Sequence, residues 1–180
     1  MNWSRIARRI RVPLGFLFAA VYLWLARPTV LSILSGLVVS AVGLGIRACA
    51  SGYVRKNEDL AMTGPYAYTR NPLYFGSIVI AAGFSLAARS WIIAAMLVLM
   101  FVAIYLPVIR GEEEFLRQRF PEFAEYERRV PRLWPRLSSS SEDSQSFSWG
   151  LYRQHREYNA LAGTLAIVAV LAAKLWWLSR

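Results

Sequence analysis

Histidine, cysteine and acidic side chains are all scarce in this chain. Cys49 is its single cysteine and His155 its single histidine, so neither a disulfide framework nor a cysteine- or histidine-based metal centre is expected. Only 11 Asp and Glu accompany 21 Lys and Arg, leaving a net charge of +10. That surplus suits either nucleic acid or anionic lipid, and its placement decides between them. The basic residues sit between apolar runs, which fits membrane topology and headgroup contact and argues against a nucleic-acid partner. Charged residues make up 18% of the chain and hydrophobic residues 56%, against roughly 25% and 45–50% in soluble proteins. At 180 residues there is room for one domain, not for separate membrane and catalytic modules.

Five stretches lack charge: 12–26, 28–46, 73–88, 90–109 and 160–173. The second and fourth approach the roughly 20 residues that cross a bilayer as a helix. The others are shorter and span only if Arg11, Arg27, Arg89 and Lys174 snorkel toward the headgroups. None alternates with period two, so the expectation is an all-α, polytopic bundle of about five transmembrane helices. The basic start, Met1 to Arg11, resembles a signal peptide. No small-x-small cleavage pattern follows it, so it reads as a retained first span. Very short loops at Arg27-Pro28 and Arg89-Ser90 predict two tight hairpins. With the N-terminus cytoplasmic, every Lys and Arg except Arg27, Arg89, Lys174 and Arg180 falls inside, as the positive-inside rule favours. The C-terminus is then outside.

Small residues crowd the second span. Gly43-x-Gly45 has the form of a cofactor-binding pair, but close helix packing explains it equally well through small-xxx-small spacing at Gly36/Ser40 and Ala41/Gly45, and is favoured. Residues 110–137 read as cytoplasmic amphipathic helix, with Leu116, Phe120 and Phe123 on one face and Pro121 dividing it in two. A serine-rich linker over 138–148 separates this core, 1–137, from a C-terminal segment, 149–180, that carries the fifth span.

Two polar clusters fall on the predicted cytoplasmic side. The first, Thr63-Gly64-Pro65-Tyr66-Ala67-Tyr68-Thr69-Arg70-Asn71-Pro72-Leu73-Tyr74, is dense in turn, stacking and donor residues and leads into the third span. The second, Arg110-Gly111-Glu112-Glu113-Glu114-Phe115-Leu116-Arg117, follows the fourth. Alone, the second is a solvated helix start with a Glu113–Arg117 pair at i,i+4. Together, the hairpins bring both to one membrane face, where a guanidinium, carboxylates and tyrosines converge on a zwitterionic small molecule with an aromatic ring.

Gly64-Pro65-Tyr66, Arg70-Asn71-Pro72-Leu73-Tyr74 with Gly76, Glu112-Glu113-x-x-Leu116, and Tyr126 with Arg129-Val130-Pro131 together resemble the isoprenylcysteine carboxyl methyltransferase family, whose general pattern membrane phospholipid methyltransferases share. The resemblance covers about Leu60 to Pro135. It implies S-adenosylmethionine bound at the cytoplasmic face and a lipophilic or lipidated substrate entering from the bilayer, with no metal. Tyr66, Arg70, Asn71, Pro72, Tyr74, Glu112 and Glu113 are the expected cofactor residues. Asn71 stands where relatives often carry histidine, and asparagine takes no proton at neutral pH. A carboxylate acceptor needs no base, only an orienting cation, for which Arg110 or Arg117 is the candidate. An amine acceptor, as in phospholipid N-methylation, would turn to Glu112 or Glu113. Two other classes stay open: a nicotinamide-dependent membrane reductase, which the acidic pair disfavours, and a non-enzymatic membrane scaffold.

Overall fold

The computed structural model describes residues 3–55, 59–138 and 146–180, and every regular element among them is helical. The order is α1 (Trp3–Leu25), α2 (Val30–Ser51), a short 3-10 turn (Gly64–Ala67), α3 (Pro72–Ala88), α4 (Trp91–Met100), α5 (Leu106–Arg119), α6 (Phe123–Arg129), α7 (Trp149–Gln154) and α8 (Tyr158–Leu178). Phe101–Tyr105 forms a π-helical segment that joins α4 to α5. Among the described residues three helices are long and apolar enough to cross a membrane: α2, the continuous Trp91–Arg119 helix and α8. Pro13–Leu25 and α3 are shorter apolar helices. The chain is thus an all-α helical membrane protein, and large apolar side chains such as Phe16, Leu31, Val38, Ile92, Val98 and Leu165 lie exposed on its flanks. Lipid, not water, suits such a surface. The serine-rich linker lies largely outside the described residues.

Local chemistry sets the helix ends. Thr29 and Ser32 cap α2 reciprocally, each side chain accepting the other's backbone N–H. Pro72 opens α3 at a position where a missing N–H costs nothing. Arg89, left-handed at φ 52°, closes it, and the Ser90 side chain then caps α4. Pro121 follows the end of α5 and separates it from α6, as expected.

The sequence hairpins exist as turns, but the close packing is elsewhere. α3 lies against α2, where Gly36, Ser40 and Gly43 meet Gly83, Ala87, Gly76 and Ile80; a Cβ added at Gly43 would stand 2.7 Å from the Gly76 carbonyl oxygen. Small residues bring the two backbones together, and that contact outweighs chain proximity. Gly43 therefore serves packing. Gly45 faces open space and Ala41 is exposed, so the Ala41/Gly45 pair packs against no other described helix of the chain. α1 packs on the π segment and α5, and α8 packs on α2.

One end of the bundle gathers the α1–α2 turn, the end of α3 and the end of α8. Arg27 N–H donates to the Ala88 carbonyl at 2.9 Å, and Lys174 Nζ donates to the carbonyls of Leu23, Trp24 and Ala26. Tyr22, Ala26, Ile33, Ala88, Ile93 and Leu171 form an apolar core there. The polar clusters occupy the opposite end. Running about 43 Å at 1.5 Å per residue, the 29-residue Trp91–Arg119 helix exceeds the roughly 30 Å hydrocarbon core. Its charged final turns, Arg110 to Arg119, lie at the polar end.

Candidate functional site

The polar end is assembled by lacing two loop segments together. Arg70 N–H donates to the Pro131 carbonyl at 2.9 Å, and Arg136 N–H to the Tyr68 carbonyl at 3.1 Å. The Thr69 hydroxyl reaches the carbonyls of Arg132 and Leu133. Gly64 turns at φ 57°, a left-handed conformation that suits glycine. Below the laced segments, Phe123, Tyr126 and Val130 are buried against Leu60, Leu116 and Phe120, so the amphipathic face predicted at Leu116, Phe120 and Phe123 closes on this platform. The Tyr126 hydroxyl donates to the Tyr66 carbonyl at 2.7 Å.

Glu113 is the centre of this end. Its residue is 3% exposed, and its carboxylate accepts from Asn71 Nδ2 at 3.1 Å and Arg132 Nε at 2.8 Å. It also pairs with Arg70 at 3.4 Å. Arg70, itself buried, pairs with Glu127 at 3.0 Å and lies over the Phe123 ring. A buried carboxylate needs such partners, because an unpaired charge there would cost several kcal/mol. Asn71 Nδ2 also donates to the Arg132 carbonyl at 3.0 Å. The asparagine therefore acts as a tie between α3, α5 and the 131–136 segment.

Glu112, the neighbouring carboxylate, is only half-buried. It accepts from the Tyr74 hydroxyl at 3.1 Å, and Tyr74 meets Tyr105 edge-on at a centroid distance of 6.1 Å. Tyr74 and Tyr105 line a cavity of about 1030 Å³ between α3 and α4, and Glu112 adjoins its polar end through the Tyr74 hydroxyl. Tyr74, Ser77, Ile78, Ala81, Ala82 and Ser85 form one wall. The other carries Ala94, Leu97, Val98, Phe101 and Tyr105, with Trp134 at the polar end and Arg89 and Trp91 at the far end. Spacing at three and four residues keeps each wall on one helix face. The cavity exists because α3 follows α2 while the next helix follows α1. Pro107, just past the π segment, withdraws a donor from the helix ladder. The wider turn brings Phe101 and Tyr105 to the wall, as π-bulges often do at functional sites.

The structure brings together Arg70, Asn71, Pro72, Tyr74, Glu112 and Glu113, joining the start of α3 to α5. Tyr66 is buried behind them; burial, followed by the fields of Tyr126, Glu157 and Glu112, raises its hydroxyl above the ordinary tyrosine range. It stays protonated at neutral pH. The two candidate catalytic arginines stand apart from this group. Arg117 is exposed, bound to Glu114 and, through Nε and Nη2, to Glu127. The expected Glu113–Arg117 pair is absent, because Glu113 turns inward and Arg117 outward. Arg110 is exposed, about 200° around the helix from Glu112. Sequence reasoning missed Tyr105, which the i,i+7 spacing to Glu112 would have placed on the same face. Trp134 and Arg132 arrive through the laced loops and Glu127 through α6, beyond the Pro121 turn, and no local signal marks their approach.

A helical membrane protein with a carboxylate and aromatic rings at the mouth of an apolar cavity is the class these features define. The chain belongs to the phospholipid methyltransferase family, which it matches over residues 14–122, within the group of isoprenylcysteine carboxyl methyltransferase-like membrane proteins. It is similar to the cobalt-zinc-cadmium resistance protein CzcN of Cupriavidus metallidurans, 45% identical over 84 residues. Similarity to the nickel-cobalt-cadmium resistance protein NccN of Alcaligenes xylosoxydans xylosoxydans is 44% over 84 residues. Each alignment covers 47% of this chain and 39% of the relative, so the chain spans about two fifths of the length of these relatives. No solved structure matches.

Proposed function

We propose that this protein is an S-adenosylmethionine-dependent methyltransferase acting on a lipophilic acceptor whose tail occupies the cavity between α3 and α4. The observation that carries this reading is the union of a half-buried carboxylate, Glu112, with the rings of Tyr74, Tyr105 and Trp134 at the polar mouth of a mostly apolar groove. The residues present fit the cofactor in part. Glu112 suits an ammonium or a ribose diol, and the aromatic faces suit a sulfonium or an adenine. Arg70 is committed to Glu113 and Glu127, so its work is to shape the site, leaving the cofactor's carboxylate to other donors. The placement of the Lys and Arg residues favours this end as cytoplasmic, with the N-terminus inside.

When bound, S-adenosylmethionine supplies an electrophilic methyl carbon for in-line displacement. The protein's own task is to align the acceptor and exclude water, which contributes several kcal/mol. Tyr105 lines the groove with a hydroxyl near its polar end and can orient an acceptor oxygen, while the Tyr74 and Ser77 hydroxyls donate to Glu112 and to the Leu73 carbonyl. Asn71 and Glu113 are held in the buried network and take no part in proton transfer. Among the described residues Glu112 is then the carboxylate nearest the groove through Tyr74, and when it holds cofactor it is not available as a base. An acceptor carboxylate, such as that of a prenylated cysteine, reacts without one, and O-methylation is the reading preferred. The Glu112 carboxylate at the groove favours a second, an amine headgroup deprotonated by it. Purified protein with methyl-labelled cofactor, offered an S-prenylated cysteine analogue or phosphatidylethanolamine, separates them. Label that alkali releases as methanol marks an ester; alkali-stable label in the phospholipid marks N-methylation. Incorporation into neither overturns the proposal.

A further inference from the structure

We propose that Glu157, which lies outside the family match, is a positioning residue that holds the start of α3, and with it the candidate site, through Arg47. This inference rests on the methyltransferase reading for its consequence and on geometry alone for the clamp. Arg47 Nε and Nη2 donate to the two carboxylate oxygens of Glu157 at 3.0 and 2.9 Å, the planar fork that arginine and carboxylate form best. Its third nitrogen, Nη1, donates to the Ser77 hydroxyl at 2.6 Å and to the Leu73 carbonyl at 3.1 Å. Ser77 in turn lines the groove beside Tyr74. One guanidinium therefore joins α2, α3 and the residue that caps α8.

Two further observations tie the clamp to the site. A Cβ at Gly76 would stand 2.7 Å from Arg47 Cγ, so the missing side chain at Gly76 is the passage by which the arginine stem crosses α3. The charges of Glu157, Glu112 and Arg47 all act on the buried Tyr66 hydroxyl, so clamp and Glu112 share one neighbour. The side chains of Arg47 and Glu157 are 22% and 11% exposed. At that burial the carboxylate fixes the fork, and without it the arginine is free to leave two neutral acceptors for headgroups or water. The opposite end of α8 is anchored separately by Lys174.

The test compares Glu157→Gln, Arg47→Lys and Lys174→Met with wild type in nanodiscs, reading hydrogen exchange over residues 73–80 and equilibrium binding of S-adenosylhomocysteine. Glu157→Gln and Arg47→Lys are expected to speed exchange over 73–80 by about tenfold. Both are expected to weaken binding by about threefold to tenfold. Lys174→Met, which loosens α8 at the far end, is expected to leave both readouts near wild type. Unchanged exchange in Glu157→Gln overturns the clamp, as does an equal effect from Lys174→Met. If wild type fails to bind S-adenosylhomocysteine, the cofactor reading falls and the exchange result still decides the clamp.

Discussion

Replacing Glu113 by glutamine tests whether the polar end is held by its buried charge network. The substitution keeps size and one acceptor oxygen, and removes the charge that Arg70, Asn71 and Arg132 share. Deleting one member of a buried ion pair costs about 3–5 kcal/mol. Here the amide oxygen retains one of the two donors, and Arg70 retains Glu127, so about 2–3 kcal/mol is the expected loss. At about 2–4 °C per kcal/mol for a chain of this size, the thermal midpoint in detergent falls by about 4–12 °C. Arg117→Ala breaks more hydrogen bonds on paper, one with Glu114 and three with Glu127. Its pairs are solvent-exposed, and the expected loss is about 0–1 kcal/mol, or no more than about 4 °C. Circular dichroism melts of the two variants beside wild type give the comparison. Equal shifts, or a larger one for Arg117→Ala, refute the claim that burial and not bond number sets the strength of this network.

Other perturbations reach other parts of the structure. Gly43→Ala puts a methyl into the Gly76 and Ile80 backbone and is expected to destabilise by about 1–3 kcal/mol. Gly45→Ala meets open space and is expected to be neutral or stabilising by up to about 1 kcal/mol; melts in detergent check both. The hydrogen bonds from Arg117, then burial working against them, then Arg70, set the Glu127 carboxyl, and the net effect holds it below the ordinary glutamate range. A lowered folded pKa means stability that is complete above the unfolded value of about 4.3 and lost as pH falls through the folded one. Glu127→Gln should therefore flatten the acid limb of the stability profile, and an unchanged limb contradicts it. Ala81→Trp fills the middle of the groove and should abolish methyl incorporation into a lipophilic acceptor while S-adenosylhomocysteine still binds.

Much of the fold was legible because its signals are local. Apolar length marked the helices, Arg89-Ser90 and Arg27-Pro28 marked the turns, and Pro121 marked the break between α5 and α6. The meeting of the Arg70–Tyr74 and Glu112–Glu113 clusters was legible too, since a helix that enters and one that leaves at the same face bring their ends to one side. Which carboxylate turns inward was not. Neighbours on a helix differ by about 100°, so only tertiary packing decides that Glu113 is buried and Glu112 meets Tyr74. The partner of Arg117 was misread for the same reason: Glu127 lies beyond the Pro121 turn. Arg47 and Glu157 are 110 positions apart, with no periodicity or motif to join them. The cavity was illegible because it records which helices part from one another, set by glycines at Gly36, Gly43, Gly76 and Gly83 and by the π segment before Pro107.

Equilibrium binding of S-adenosylhomocysteine to the purified protein, for wild type, Glu112→Gln and Arg110→Gln, bears most directly on the assignment of the groove mouth as a methyl-transfer site. Saturable binding by wild type, weakened about tenfold by Glu112→Gln as expected for a lost hydrogen bond to a charged group, with Arg110→Gln close to wild type, is the expected result. Binding that is absent in wild type, or indifferent to Glu112→Gln, contradicts it.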